Sequence, residues 1–515
     1  MNRYLRVVIV IMILSVVAVM ILDDAEAAYE YDSENNVLTI SSNISNESGV
    51  KVWPWSDYKE EITDVVIDTS VTNIPSYLFI GLTSVTEINI PSSVRTIGDS
   101  AFEGCTSVTE MHIPDSVEAI GNRVFSGMTS LKHVSTGSSL TDIGESLFLG
   151  TFNIEKLEIG SPKMKIEYSN NPFNGEDLPK EIEVIFTETI RDVPDNMFYS
   201  SDPVSISSLT ISMTAESIGA YSFYGCDIGE IILPSTVKEI DDFAFTESDL
   251  HSVNLENITS LGRGAFKNCS SLTAANIKSL DNLKDETFSG CTSLTEITFS
   301  NQLRNIGMSS LNGTSVSEII LPETLTAVGE YAFRDCKLLK ESIIIGDLST
   351  LGNGAFEGCT SLKKVTLQNV VNLGTSAFKG CPLTDMIAIG IYSNKLTDIP
   401  EDCNLYTQRN STIEGVSPSP VTYYIYDRDI TMFNDRVLDI GLVNHTGEVP
   451  AIGWEDYKGN PVEDVSDISG IRSVYASYEE SSGSDGSKGY STLSYIVLLL
   501  GIVSLSASLY VRFKG

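Results

Sequence analysis

Eight cysteines, four histidines and a large excess of carboxylates are the side chains of this chain able to do chemistry. Their spacing argues against most of it. A structural zinc site needs pairs such as Cys-x-x-Cys or His-x-x-x-His, which put two donors on one turn of chain, and neither spacing occurs. His112, His133, His251 and His445 are scattered. His112 and His133 fall on neighbouring strands but lack a third ligand. No Gly-x-Ser-x-Gly elbow is present to present a nucleophile. Gly262-x-Gly264 and Gly352-x-Gly354 are fragments of a phosphate loop, but no full-length helix follows them to hold an anion at its N-terminus. Neither a catalytic residue, a metal ligand nor a cofactor is assigned, and the chain is not expected to be an enzyme.

The elements that would position any site follow from a repeat. Phe79, Phe102, Phe125, Phe148, Phe173, Phe198, Phe223, Phe245, Phe266, Phe288, Leu311, Phe333, Phe356 and Phe378 recur at intervals of 21 to 25 residues. A period in the twenties is the mark of a solenoid, whose units bury their apolar faces only by stacking. Alternations such as Ile88-x-Ile90, Met111-x-Ile113, Ile231-x-Leu233 and Ile319-x-Leu321 have period two and predict a short strand per unit. Pro91, Pro114, Pro234 and Pro322 end those strands. Glycine stands two residues after ten of the fourteen beats, with Ser200, Glu247, Asn268 and Asp335 in the remaining four. That mix predicts a positive φ at the end of a short helical turn.

Seven cysteines, Cys105, Cys226, Cys269, Cys291, Cys336, Cys359 and Cys381, share one slot, three residues after the beat. Other units place Leu82, Met128, Thr151, Ser248 or Thr314 there, so the slot reads as a packing position holding buried thiols. Disulfides between stacked units, Cys269 with Cys291 or Cys359 with Cys336 or Cys381, are the competing reading. Strands about 4.8 Å apart are within Cα range, but parallel side chains hold the Cβ atoms slightly too far apart. Cys403 is off the template.

The unit Val94-Arg-Thr-Ile97-Gly98-Asp-Ser-Ala101-Phe102-Glu-Gly104-Cys105-Thr-Ser-Val108-Thr-Glu-Met111-His-Ile113-Pro114 resembles the BspA-like, or treponemal, class of leucine-rich repeats. The leading segment, with Val37 to Ser41, Trp53-Pro-Trp55 and Ile62 to Ile67, looks like the cap that precedes such repeats. The resemblance covers residues 29 to 403 and departs between Phe148 and Phe223, where Pro172 or Met197 replaces the alanine before phenylalanine. It implies a leucine-rich-repeat solenoid, one short parallel β-strand plus a short helical or irregular turn per repeat. It also implies a surface protein serving adhesion to host cells, matrix or neighbouring microbes.

The rest of the chain gives the compartment. Residues 1–28 read as a signal peptide, with Arg3 and Arg6 before an apolar run and Ala25-Glu-Ala27 as cleavage site. Residues 29–70 form the cap, 71–403 about fourteen repeats, and 404–480 a small all-β module. Residues 481–492 are a flexible stalk. Residues 493–511 are a C-terminal transmembrane helix of bilayer length, and 512–515 a cytoplasmic tail carrying Arg512 and Lys514. The expected product is a single-pass membrane protein with an extracellular ectodomain. Thirty-three basic against sixty-nine acidic residues give a net charge of −36, which repels nucleic acid. Asn43, Asn46, Asn257, Asn268, Asn312, Asn410 and Asn444 head Asn-x-Ser/Thr sequons, which bear on an exported protein only if its host glycosylates.

The residue before the first inward strand position reads Glu87, Glu110, His133, Lys156, Glu230, Ser252, Ala274, Glu296, Glu318, Ser342, Lys364 and Asp385. Asn89, Asn254, Asn276, Thr298 and Thr366 lie beside this row. The ligand face is placed at Glu87, Glu110, Glu230, Glu296, Glu318, Asp385, Asn89, Asn254 and Asn276. It would meet a protein or glycan ligand on another cell or matrix, with cation bridging at the acidic row as an option. The competing reading is a solvated ridge in a repeat copied with its Thr-Glu dipeptide. A structural part of the organism's own envelope and an exported hydrolase are the alternative functions.

Overall fold

The computed structural model describes residues 28–45, 52–162, 164–167, 171–173, 181–199, 203–344, 348–368, 370–389, 399–400 and 403–408. Beyond these it describes the short strands Thr422–Ile425, Asn444–His445, Gly453–Asp456, Pro461–Val462, Val474–Ser477 and Ser494–Tyr495. The signal peptide and transmembrane helix fall outside the described residues apart from Ser494–Tyr495. Among the described residues no helix is long and apolar enough to cross a membrane.

The chain begins with a hairpin, Tyr29–Asp32 antiparallel to Val37–Ile40. Asp32 closes its turn by accepting the N–H groups of Glu34 and Asn35. Val37–Ile40 then pairs in parallel with Asp64–Ile67, which hands the sheet on through a bridge from Val65 to Ile88. Trp53 stacks on Trp55 at 5.3 Å and Tyr29 meets Trp55 at 5.0 Å. These rings cover the apolar end that the first coil would otherwise show to water.

Each coil then contributes to three ladders. The first is the expected parallel sheet, for example Glu110–His112, His133–Ser135, Lys156–Ile159, Ile182–Phe186 and Ile206–Thr210. Its inward positions, Met111, Val134, Leu157 and Val184, are buried and in register. The second ladder was not expected. Two-residue strands such as Thr96–Ile97, Ala119–Ile120 and Asp142–Ile143 pair from coil to coil on another side, putting Ile97, Ile120 and Ile143 into the core.

The third ladder carries the phenylalanines and corrects the expectation of a helical turn. Ser100, Phe102 and Gly104 donate their N–H groups to the carbonyls of Asn122, Val124 and Ser126 in the next coil, at 2.8, 3.2 and 2.8 Å. Between them, Glu103 N–H returns to Ser100 and Cys105 N–H to Phe102 within the coil. Positive φ falls both before and after the beat, 53° at Ser100 and 73° at Gly104. A left-handed residue every fourth position stops each turn from propagating. The one helix among the described residues is therefore a single 3-10 turn, Ser56–Tyr58, in the cap. Glu247, Asn268 and Asp335 carry φ of 60°, 59° and 56°, as their place on the glycine template requires.

The rings stack along the axis, with Phe245 over Phe266 at 5.4 Å and 1° between planes. Where the intervals lengthen to 25 residues the stack tilts, to 30° and 37° around Phe173. Next to that tilt is an interior void of about 20 Å³, walled by Phe125, Phe148, Met164 and Met197 among others. At the far end Asn404–Gln408 and Thr422–Ile425 add two more parallel strands to the sheet begun by Glu318–Ile320.

Candidate ligand face

The outward side of the long strands holds the residues singled out from sequence. Glu110, His133, Lys156 and Glu183 stand in one register row, followed by Ser208 across a bulge. Glu230 pairs with Ser252, and Ala274 with Glu296. Glu318, Glu341, Lys364 and Asp385 form the same row in the last sheet. Glu87, Glu110, Glu230, Glu296 and Glu318 are exposed and Asp385 is half-buried.

One residue of the expected row moves. Ser342 pairs with Ile319 and Val365, so it occupies an inward slot, and Glu341 takes the row position. Its strand reads Glu-Ser-Ile-Ile, in which two apolar residues in succession hide the alternation. Glu183 was missed for a similar reason, since its coil lies where the intervals lengthen.

The asparagines differ among themselves. Asn89 is exposed and donates to Glu87 Oε1 at 2.8 Å. Asn254 accepts the N–H of Leu233 at 2.7 Å and donates to its carbonyl at 2.9 Å, so its amide stands in for a strand pair. Asn276 is half-buried, in register with Thr298, and its Oδ1 has no hydrogen-bond partner among the described residues.

The face has two electrostatic zones. In the N-terminal one, Lys156 Nζ sits 2.5 Å from Glu158 Oε1 and His133 Nε2 at 3.7 Å from the same oxygen. The Lys156 ammonium holds the Glu158 carboxyl below the usual range, and the carboxylate raises Lys156 in return. His112 Nδ1 and Ser135 Oγ share a hydrogen bond of 2.7 Å. Toward the C-terminus Glu296, Glu318 and Glu341 follow one another in successive coils. The outward row between the two inward ones also holds Ile232 and Ile320, 84% and 77% exposed. The sequence had signalled them as the middle letters of Ile231-x-Leu233 and Ile319-x-Leu321. A polar depression of about 550 Å³, lined by Lys278, Ser279 and Thr298 to Gln302, borders this face.

All eight cysteines are buried, and burial pushes the thiols of Cys105 and Cys269 up to about 12. Such thiols are poor nucleophiles and poor metal ligands. Among the described residues no three His, Cys, Asp or Glu side chains are grouped to hold a metal ion.

The sequence model of the BspA type leucine rich repeat region matches this chain in six copies, over residues 57–178, 191–295 and 259–384. No curated protein sequence matches it. Among solved structures, a leucine-rich repeat protein from Bacteroides ovatus is similar at 19% identity and a TM-score of 0.44, covering 74% of this chain and 98% of its own. A leucine-rich repeat protein from Eubacterium ventriosum matches at 21% identity and TM-score 0.29, covering 69% and 93%. A leucine rich cell surface protein from Faecalibacterium prausnitzii matches at 21% and 0.25, covering 68% and 92%.

Proposed function

This chain belongs to the BspA-type leucine-rich repeat family, and from that premise we propose that it is an exported, membrane-tethered adhesin. Its outward strand face binds a protein or glycan on another cell or on matrix. The observation that carries this reading is the contrast between the two sides of the long strands. Inward positions such as Ile88, Met111, Ile231 and Ile319 are buried, whereas the neighbouring Glu87, Glu110, Glu230, Glu296 and Glu318 remain exposed. Extended surfaces of this kind are what stacked repeats provide for partners. A cationic partner suits the acidic row, and a divalent cation bridging two carboxylates is a second way to meet an anionic one. Export and tethering rest on residues 1–28 and 493–511 of the sequence.

The test is capture by the purified full-length chain on beads, from matrix, host-cell and own-envelope fractions at low and moderate salt. Saturable capture of a foreign ligand, lost when Glu87, Glu110, Glu296 and Glu318 are changed to Gln, is the expected result. Capture from its own envelope alone, unaffected by those changes, would overturn the adhesin reading in favour of a structural envelope protein.

A further inference from the structure

The polar depression beside the outward face has its cause in residue count. Ile277 and Phe299 are in register on the long strands, and Leu283 and Ile306 on the two-residue strands. Residues 278–282 join the first of these positions in one coil, and 300–305 join them in the next, five residues against six. Two coils held in register at both ends cannot follow one path with unequal lengths, so the longer one bulges. Ser300, Asn301 and Gln302 carry the bulge as a turn, closed by Gln302 N–H donating to Ser300 Oγ at 3.1 Å. Between that turn and Lys278–Ser279 lies the depression of about 550 Å³. Small-molecule sites commonly measure about 300–1,000 Å³.

The lining departs from the rest of the chain. Acidic residues outnumber basic ones by 69 to 33, yet no carboxylate lines the depression and one ammonium, that of Lys278, does. Phe299 is the sole apolar contributor and is 8% exposed, so a ligand gains little there from apolar contact. Two hydroxyls are committed to the walls, since Ser279 donates to the Glu256 carbonyl at 2.7 Å and Ser300 holds the turn. Lys278, Thr298, Asn301 and Gln302 are exposed, and among the described residues their side chains have no hydrogen-bond or ion-pair partner.

Those four groups define the chemistry of a ligand. An ammonium supplies three donors and a positive charge, while a hydroxyl and two carboxamides each both donate and accept. Their complement is one anionic group set beside several hydroxyls. Sugars that carry a carboxylate have that pattern on a single ring. An acidic peptide offers the charge without the neighbouring hydroxyls, and an apolar ligand offers neither.

We propose that this depression is a subsite for a carboxylated sugar, with Lys278 taking the carboxylate and Thr298, Asn301 and Gln302 the ring hydroxyls. The proposal rests on the reading of the outward face as a ligand surface and deepens it by naming the subsite and the sugar class.

The test is fluorescence anisotropy with the full-length chain at about 0.15 M salt, which shortens the reach of its negative field to about 8 Å. Two end-labelled probes separate the sources of such sugars, a trimer of galacturonic acid and sialyllactose. Galactotriose and lactose are their neutral counterparts, and a labelled Gly-Ser peptide carrying three glutamates tests charge alone. At least one acidic sugar should bind saturably, about tenfold more tightly than its neutral counterpart and than the peptide. Lys278→Gln should weaken it about tenfold through loss of the charge-assisted contact, and Lys278→Arg should retain most of the binding. Thr298→Val and Gln302→Ala should each weaken it about threefold. These side chains are exposed, so the changes leave the core intact. Failure of both acidic sugars to bind, equal binding of the neutral sugar or the peptide, or indifference to Lys278→Gln would overturn the proposal. Capture on beads that depends on Glu87, Glu110, Glu296 and Glu318 would survive any of those results, so the two failures are separable.

Discussion

Cys269 Sγ lies 2.9 Å from the main-chain carbonyl oxygen of Phe245, one coil earlier, and donates its proton there. The same contact recurs from Cys105 to Phe79 at 3.1 Å, Cys291 to Phe266 at 3.0 Å, Cys359 to Phe333 at 3.1 Å and Cys381 to Phe356 at 3.0 Å. The Phe245 carbonyl takes no ladder N–H: it accepts Ser248 N–H within its own turn, while the carbonyls on either side of it, of Ala244 and Thr246, accept the ladder N–H groups of the preceding coil. A buried carbonyl gains from a second donor. The slot thus accommodates a small side chain with a weak donor, as Thr314 does by donating to Leu311 in its own coil at 2.9 Å, while Leu82 and Met128 fill it in other coils by packing alone.

Replacing Cys269 by alanine removes that donor together with a buried sulfur. A loss of about 1–2 kcal/mol is expected from the hydrogen bond and the small cavity together. Cys269→Thr keeps a donor and should lose less. Urea midpoints measured side by side decide the matter: equal losses for alanine and threonine would reduce the slot to packing.

Alkali should weaken the fold through these thiols. Burial raises Cys105 and Cys269 to about 12 in the folded chain, above an ordinary thiol near 8.5. Because the folded value is the higher one, the stabilisation is complete below the unfolded value. It is lost as pH rises from there toward 12. Urea midpoints should fall between pH 8 and pH 10.5, and Cys105→Val should flatten that slope relative to the parent, tyrosine ionisation being common to both. Iodoacetamide at pH 8 should leave Cys105 and Cys269 unlabelled until urea is added.

The ring of Phe243 occupies the space of a side chain on Gly264. A Cβ there would stand 2.5 Å from Phe243 Cε1, and Gly264 has φ +58°. Gly264→Ala should therefore cost two separable amounts, about 1–2 kcal/mol for the left-handed backbone and a further amount for the clash. In a Phe243→Ala background only the first should remain. A double-mutant cycle read by urea unfolding checks this. Additive losses would mean that the ring moves aside freely.

Much of the fold was legible because the beats are so regular. Phe102 or Phe266 announces its own coil, and the alternation at Met111 and Ile113 announces the strand. What stayed hidden involves pairs of coils. The two-residue strand at Thr96–Ile97 has no alternation to display, because it is too short for a period to show. The left-handed backbone before the beat falls on Ser100, Arg123 and Tyr221 alike, so no residue type marks it. On the outward face, Glu110 and Glu318 were readable from their place before an inward residue. Glu341 was not, since Ile343 and Ile344 leave the inward position ambiguous until a neighbour such as Lys364 fixes the register.

Glu286 is the one carboxylate paired with both an arginine and a lysine among the described residues. It accepts from Arg263 Nη2 at 2.5 Å and from Lys267 Nζ, and it is largely shielded while both cations are substantially exposed. The Lys267 and Arg263 hydrogen bonds hold its carboxyl below the usual glutamate range. With the folded value depressed, the stabilisation is present above the unfolded pKa and disappears as pH falls through the folded one. Glu286→Gln should thus lower the unfolding free energy measured in urea at pH 7 by less than about 1 kcal/mol, the cations being solvated, and the difference should narrow toward pH 4. Backbone geometry adds a second handle. Glu286 has φ 58°, which glycine adopts without the penalty a side chain pays. Glu286→Gly therefore loses the ion pairs but relieves the backbone, and should be closer to neutral than Glu286→Gln at pH 7. It should remain the more stable of the two at pH 4 by about the same margin, since neither variant titrates at this position. A glycine variant less stable than the glutamine variant at both pH values would show that the buried stem of Glu286, rather than its charge or its backbone, is what the coil depends on.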